Sequence, residues 1–423
     1  MIRFFVLIYG LAWRLALPLL RRRRRTACGW RERTVHTIPQ GPYDIWIQSA
    51  SGGEALLANE LAFELGRQLE GIGNFRLLLT SGTKEGLDLL KKTETHLSPK
   101  IETRVSYFPF DAPWLMQKAF ACYAPRLAVI VETELWPSFL IAAHDNGVPV
   151  LLVNGRMSAG SYRFYRRCKG FFHNYGPRQV LAISETDGQR FAEIVGKDRV
   201  KPMHNIKFDR MTAGRPLHAE TENEFFLPDG TAFVVFGSIR RKEEERILHT
   251  LKILHARCPD LIIGLFPKHI NRAEAWCKKL QKEGIASSRR SAIKDGQNYE
   301  RIIVWDLFGE LGQAYKHADS AFVGGSLERL GGHNFLEPLI FGVRPIIGPH
   351  WRDFLWVGED IFTSGLVTRI SDEFELADLL IQRLSEKTDK PAIRDKALHF
   401  LASKEGGTQL ACKTIVKMLQ TGT

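Results

Sequence analysis

Twice along this chain, short β-branched and apolar runs alternate with longer amphipathic stretches, which is the pattern of a parallel sheet built from βαβ units. The first series has strand candidates at 44–48, 75–80, 127–131, 148–153 and 180–184, with helical stretches such as 55–69 and 135–146 between them. Over 213–230 such runs are absent, and Gly214, Pro216, Pro228 and Gly230 punctuate the sequence as in a linker. The second series supplies strand candidates at 232–236, 261–266, 301–304, 320–323 and 345–347. Two doubly wound α/β domains follow. A length of 423 residues agrees, because single hydrophobic cores stop growing at roughly 250–300 residues. Ligands of such sheets bind outside the carboxyl ends of the strands, so a crevice between the two domains is the expected site. The expected organisation is an anchor over 1–25, a first domain over 26–212, a linker over 213–230, a second domain over 231–396 and a closing helix over 397–423.

Lys and Arg number 59 against 47 Asp and Glu, and a surplus of 12 suggests nucleic acid, anionic lipid or phosphorylated substrates as partners. Its location separates these. Residues 1–33 hold nine arginines and one acid, Glu32, so two-thirds of the surplus abuts the apolar run over 4–20. A nucleic-acid-binding module needs a distributed basic face with aromatic platforms, and this chain does not have that distribution. The apolar run is at the lower length limit for crossing a bilayer. Five arginines, Arg21, Arg22, Arg23, Arg24 and Arg25, stand where a signal peptide would carry its small-residue cleavage site. Arg14 is costly in a spanning helix but can snorkel from one lying in the interface. The reading is an interfacial or short anchoring helix whose arginines bind anionic lipid headgroups and hold the next domain on the cytoplasmic side. Six cysteines lie far apart with no C-x-x-C pair, which fits reduced thiols and argues against a zinc site or a disulfide framework.

The segment Ser49-Ala-Ser-Gly-Gly-Glu54 joins the first strand to a helix, and its glycines permit a tight turn and close approach of a substrate. Glu54 either projects toward that substrate or simply complements the positive helix end. A helix N-terminus also lowers a carboxylate pKa and so weakens it as a base. Val131-Glu-Thr-Glu-Leu-Trp-Pro137 places Glu132 and Glu134 at another strand end, where they share a substrate hydroxyl or sit in a surface loop.

In the second series, Phe236-Gly-Ser238 ends a strand and residues 239–245 open a helix, so small residues admit a phosphate while Arg240, Arg241 and Lys242 supply charge. Pro267-Lys-His269 follows the next strand; a solvated charge run is the alternative for both segments. The most specific stretch is Gly324-Gly-Ser-Leu-Glu-Arg-Leu-Gly-Gly-His-Asn-Phe-Leu-Glu-Pro338. Its two glycine pairs lead to a helix start at which amides can hold phosphate and Glu337 can accept hydrogen bonds from ribose. No Gly-Lys-Ser/Thr follows, which excludes a Walker A loop.

Taken in order, SGGE at 51–54, YFPFD at 107–111, ETELWP at 132–137, LVNGRMS at 152–158, NIKFD at 205–209, FPKH at 266–269, FGEL at 308–311 and GGHNFLEP at 331–338 resemble the 3-deoxy-D-manno-octulosonic acid (Kdo) transferases of lipopolysaccharide synthesis. The resemblance runs over nearly the whole chain. It implies a GT-B fold of two Rossmann-like domains, CMP-Kdo as donor, and a lipid A precursor (lipid IV-A) as acceptor at the inner membrane of a Gram-negative bacterium. No cofactor beyond the donor substrate, no metal and no nucleic acid are implied. Carried over residue by residue, Glu54 matches the general base, and Glu132 and Lys207 match positions that support the transition state. Pro267, Lys268, Phe308, Gly309, Glu310, Asn334, Phe335, Leu336 and Glu337 match those that hold CMP, with Glu134, Ser238 and His269 as neighbours. The chain departs from the pattern at Gly237-Ser-Ile-Arg240, where the family often reads Gly-Ser-Thr-His, and at His204, which replaces a usual glycine. Lys268-His269 stands for the usual Arg-His and lacks the guanidinium fork.

The implied reaction is inverting: Glu54 takes a proton from an acceptor hydroxyl, and Lys268, helix-end amides and Lys207 stabilise the departing CMP. A nucleotide-sugar epimerase on the same double fold is the rival reading, but it would need no lipid anchor.

Overall fold

Strands buried on both faces read as uninterrupted apolar runs, and Ile45–Ser49 (β1) and Leu127–Val131 (β4) are buried at every position. The computed structural model describes residues 2–69, 75–94, 101–212, 227–228, 230–293, 298–386 and 388–421. Of the expected linker, residues 213–226 and 229 lie outside the described residues. The chain divides into two units, one formed by Met1–Arg210 with Lys404–Thr423, the other by Met211–Ser403.

In the first unit, Phe75–Ser81 (β2), Ile101–Tyr107 (β3), Val150–Gly155 (β5), Gln179–Ala182 (β6) and Val200–Pro202 (β7) join β1 and β4 in the order β3-β2-β1-β4-β5-β6-β7. Every pairing is parallel. The order reverses between β1 and β4, which is where an open α/β sheet presents its ligand crevice at the carboxyl ends of the strands. One core layer packs Trp46, Phe108, Phe120, Tyr123 and Phe139 on one face of this sheet. The other packs Leu57, Leu61 and Leu65 of the helix Gly52–Gln68 on the opposite face.

The second unit repeats the plan with Phe233–Ile239 (β8), Ile262–Pro267 (β9), Ser287–Arg289 (β10), Ile302–Val304 (β11), Ser320–Val323 (β12), Pro345–Ile347 (β13) and Thr368–Arg369 (β14). Its order is β10-β11-β9-β8-β12-β13-β14, again all parallel.

The closing helix expected over 397–423 is two helices, Lys390–Ala402 and Gly407–Thr421. Gly406 takes a φ of 99° and breaks the run between them. The second helix belongs to the first unit. Asp209 holds its start, with Oδ1 accepting from Gly406 N at 2.6 Å and Oδ2 from Thr408 N at 2.6 Å. Gly407 is needed there, because a Cβ would stand 2.1 Å from His204 O. Ala411, Cys412, Ile415, Met418 and Leu419 then join the core layer of the helix Gly52–Gln68.

The N-terminal helix runs Ile2–Arg22, and no helix among the described residues is long and apolar enough to cross a membrane. Trp13, Leu17 and Leu20 pack against the core of the first unit, while Leu7, Leu11, Leu15 and Leu19 are 59–70% exposed. Residues four apart share a helix face, so these leucines form one continuous stripe opposite the packed side. The packed side is pinned by Tyr9, whose hydroxyl donates to Asp111 Oδ2 at 3.0 Å.

Candidate active site

Glu54 is the third residue of the helix Gly52–Gln68, whose N-cap Ser51 accepts from its backbone N–H. Ser51 Oγ accepts from Glu54 N at 3.4 Å and donates to Glu54 Oε1 at 3.2 Å; Ala50 N donates to Glu54 Oε2 at 2.5 Å. Such contacts alone would depress its pKa, as the sequence suggests. Burial outweighs them. The residue is only 9% exposed, and desolvation, reinforced by the charges of Glu132 and Glu134, pushes the carboxyl up to about 7. A carboxylate with that pKa titrates where a general base is most effective.

The two neighbouring acids differ. Glu132, 4% exposed at the end of β4, is held by Arg156 Nε at 2.8 Å and Lys207 Nζ at 3.1 Å. Each oxygen of Glu132 thus meets one cation. Glu134 makes no ion pair among the described residues, and desolvation and then Glu132 raise its pKa. Lys207 lies near the start of the helix Ile206–Thr212, where Asn154 Oδ1 accepts from Ile206 N at 3.0 Å and Asn205 Oδ1 from Lys207 N at 3.0 Å. The three motifs ETELWP, LVNGRMS and NIKFD therefore build one constellation with SGGE at the carboxyl edge of the first sheet.

Backbone strain marks the same edges. Glu132, Asn154 and Ser238 take φ values of 66°, 54° and 58°, although non-glycine residues adopt that region at a cost of order 1–3 kcal/mol. Each stands where β4, β5 or β8 delivers a side chain out of the sheet.

In the second unit, the helix expected over 239–245 begins later. Arg241–Glu243 is one 3-10 turn and the α-helix runs Glu244–Arg257. The delay comes from Glu243, which is fully buried and turns inward so that Oε1 accepts from Arg240 N at 2.8 Å and from Gly325 N at 2.6 Å. Burial raises the Glu243 pKa against these amides. This single carboxylate ties the turn after β8 to the glycine-rich loop after β12. Arg241 and Lys242 are exposed on the outer side of the turn.

The charge that the sequence assigns to this region collects around His333. Burial, followed by the proximity of Lys268, Arg240 and His269, lowers the His333 pKa to about 4. Three turns, after β8, β9 and β12, thus bring their basic residues to one place. Gly325, with a φ of 72°, passes so close to the ring that a Cβ would stand 2.9 Å from His333 Cδ2.

The other expected nucleotide residues divide by how they are buried. Phe308 is 86% exposed, and Gly309 turns with a φ of 90°. Glu310 is engaged internally, with Oε2 accepting from Arg290 Nε at 2.8 Å and Trp305 Nε1 at 2.8 Å. Pro267, Phe335 and Leu336 are buried in the unit, leaving main-chain groups for a ligand. The expected helix after the glycine-rich loop is the single turn Leu336–Leu339, and Asn334 Oδ1 accepts from Leu336 N at 3.2 Å. One turn carries little macrodipole, so the loop amides and the nearby cations are the groups here that could meet an anion. Glu337 is 6% exposed beside Gly312 and Tyr315.

Residues not singled out from sequence are Asn154, Arg156, Asn205 and Glu243. All but Glu243 sit inside the motifs quoted above, so motif membership was the available signal. Glu243 looked like one more acid on a charged helix face.

Residues 25–210 match the family model described as 3-deoxy-D-manno-octulosonic-acid transferase (kdotransferase). The chain is 29% identical over 372 residues to the 3-deoxy-D-manno-octulosonic acid transferase of Bordetella pertussis, covering 86% of this chain and 85% of the relative. It is also 29% identical over 316 residues to the transferase of that name from Haemophilus influenzae, covering 74% and 72% of the two chains. A glycosyltransferase structure from Rickettsia africae superimposes with a TM-score of 0.56 at 12% identity, over 90% of this chain and 99% of that one, which supports the two-domain α/β architecture. A shared double fold would not by itself separate a transferase from an epimerase, but agreement in sequence does. With the motif constellations assembled at the carboxyl edges of both sheets, this chain carries a domain that matches the Kdo transferase family model and is similar over most of its length to Kdo transferases, which are glycosyltransferases.

Proposed function

We propose that this enzyme transfers Kdo from CMP-Kdo to a hydroxyl of a lipid A precursor, lipid IV-A, with inversion at the anomeric carbon and Glu54 as general base. The observation that carries the reading is the Glu54 carboxyl, nearly buried and pushed up to about 7 beside two further acids. The acceptor hydroxyl gives its proton to Glu54 while its oxygen attacks the anomeric carbon. The bond from that carbon to the phosphate oxygen breaks, and its electron pair leaves with CMP. Glu132, paired to Arg156 and Lys207, is the less suitable base, because protonating it would break two ion pairs.

On the donor side, Lys268 and Arg240 meet the charge that grows on the leaving phosphate, and the neutral His333 adds a hydrogen bond without competing for the proton. Glu337 accepts from the ribose hydroxyls. No step requires a metal or a further cofactor.

The N-terminal helix supports attachment in the plane of the membrane, on the cytoplasmic side of the inner membrane. One face is committed to the first unit through Trp13, Leu17, Leu20 and the Tyr9–Asp111 hydrogen bond, and the other is a leucine stripe. Arg21 to Arg25 then meet anionic headgroups.

The test is to incubate the purified full chain with CMP-Kdo and tetraacylated lipid A precursor and weigh the products. A mass increase by one or more Kdo residues is expected; an unchanged acceptor would refute the assignment.

A further inference from the structure

We propose that the hollow between the N-terminal helix and the helix Pro113–Tyr123 is a discrete binding site for the phosphate headgroup of an anionic phospholipid. The proposal rests on the membrane-attached reading and goes beyond it, because general attraction by Arg21 to Arg25 requires no site at all.

The hollow measures about 590 Å³ and is lined by Arg14, Leu17, Arg21, Arg22, Trp30 and Trp114, together with Pro18. That volume suits a headgroup with its glycerol and exceeds what a bare phosphate would fill. Three guanidiniums line it, and no carboxylate does. Among the described residues, no acid forms an ion pair with Arg14, Arg21 or Arg22. The guanidinium of Arg14 stands over the Trp114 ring at 5.6 Å from its centroid, and that of Arg21 over Trp30 at 6.0 Å. These contacts hold the charged groups at the hollow before any ligand arrives, while leaving their N–H donors for phosphate oxygens.

The position on the helix is the second argument. Residues seven apart return to nearly the same helix face, so Arg14 and Arg21 share one flank. That flank runs between the packed face of Trp13 and Leu20 and the exposed stripe of Leu7, Leu11, Leu15 and Leu19. When the stripe enters the acyl boundary, this flank stands at headgroup depth, where tryptophan is also favoured. Arg14 is thus a ligand in the interface rather than a flaw in a spanning segment.

The experiment compares full-length wild type with Arg14→Gln and Arg24→Gln in flotation with phosphatidylcholine vesicles, with and without phosphatidylglycerol. Arg24 does not line the hollow and reports general charge attraction, which is worth roughly fivefold per arginine. Arg14→Gln is expected to lose tenfold or more of the preference for phosphatidylglycerol, while binding to phosphatidylcholine through the leucine stripe persists. Equal losses in the two variants would overturn the site in favour of diffuse attraction. Failure of wild type to bind either vesicle would instead sink the membrane reading itself. Calorimetry with monomeric short-chain phosphatidylglycerol should give a saturable one-to-one isotherm that Arg14→Gln abolishes. Equal binding of inorganic phosphate would make the hollow a plain anion site and overturn the lipid assignment. Both arginines are exposed, so their substitution leaves the fold intact, and an unchanged thermal transition checks this.

Discussion

Lys207 Nζ lies 3.1 Å from Glu132 Oε1, so residues 75 positions apart in the chain share an ion pair at the carboxyl edge of the first sheet. Arg156 completes the pair at 2.8 Å on the other oxygen. Together they offset a negative charge that otherwise acts on Glu54. Lys207→Ala should therefore leave more of the Glu132 charge exposed and raise the Glu54 pKa further. The acid limb of the kcat/KM profile is expected to move to higher pH, and Lys207→Arg should restore it. An unmoved limb would show that Lys207 acts without Glu54.

Glu54→Gln keeps the shape but cannot take a proton, and loss of general-base catalysis should cost roughly 100- to 10,000-fold in turnover. In wild type, kcat/KM should fall about tenfold per pH unit below pH 7, as the base protonates through its pKa of about 7. The variant should lack this limb, with CMP affinity unchanged. Near-normal turnover would return Glu54 to a capping role and leave Glu134 as the candidate base.

Glu243→Ala removes the acceptor shared by Arg240 N and Gly325 N and strands two buried amides. The loop after β12 should loosen, and CMP binding by calorimetry should weaken roughly tenfold, or about 1.4 kcal/mol, which lies within the cost of about 1–3 kcal/mol for leaving a buried amide unpaired. Glu243→Gln still carries an oxygen that can accept from both amides and should bind CMP almost normally. Equal affinity in all three proteins would mean that the loop holds its shape without this residue.

Asn334→Ala and Glu337→Gln should each weaken CMP binding without changing the thermal transition. The first removes the oxygen that accepts from Leu336 N, and the second removes the carboxylate proposed to accept from the ribose hydroxyls. Unchanged CMP affinity in both would move the nucleotide site elsewhere.

Asp111 accepts from Tyr9 Oη and from the amides of Ser138 and Phe139 at 2.8–3.0 Å while only 2% exposed. Asp111→Asn would turn an NH₂ group toward at least one donor, so a loss of about 1–3 kcal/mol is expected in thermal or urea unfolding. Membrane attachment is better tested by Leu11→Ser with Leu15→Ser than by deleting residues 1–25. Deletion would also uncover the core that Trp13, Leu17 and Leu20 close. The double variant should fold normally and lose flotation with vesicles; full retention would refute the stripe as an anchor.

Much of the fold was legible because parallel strands covered on both faces are continuous apolar runs. The runs at 127–131, 320–323 and 345–347 coincide with β4, β12 and β13 to the residue. The strands that escaped notice are those at the sheet edges. Ile101–Tyr107 alternates buried and exposed positions through Glu102 and Arg104, as an edge strand that discourages further pairing does. Ser287–Arg289, Thr368–Arg369 and Val200–Pro202 are short and polar, and they became strands only because a neighbour was there to pair with.

The sequence by itself determined the two α/β units, the apolar and arginine-rich start and the motifs that carry the chemistry, because periodicity, composition and local spacing are properties of neighbouring residues. Tertiary structure alone decided what those motifs do for one another. It pairs Glu132 with two cations, raises Glu54 by burying it, makes Glu243 a brace rather than a surface acid, and lowers His333 among Lys268, Arg240 and His269. It also returns the last helix to the first unit. The physical reason is the same in each case: desolvation and charge pairing depend on groups tens of residues away, which meet only once the sheets have formed.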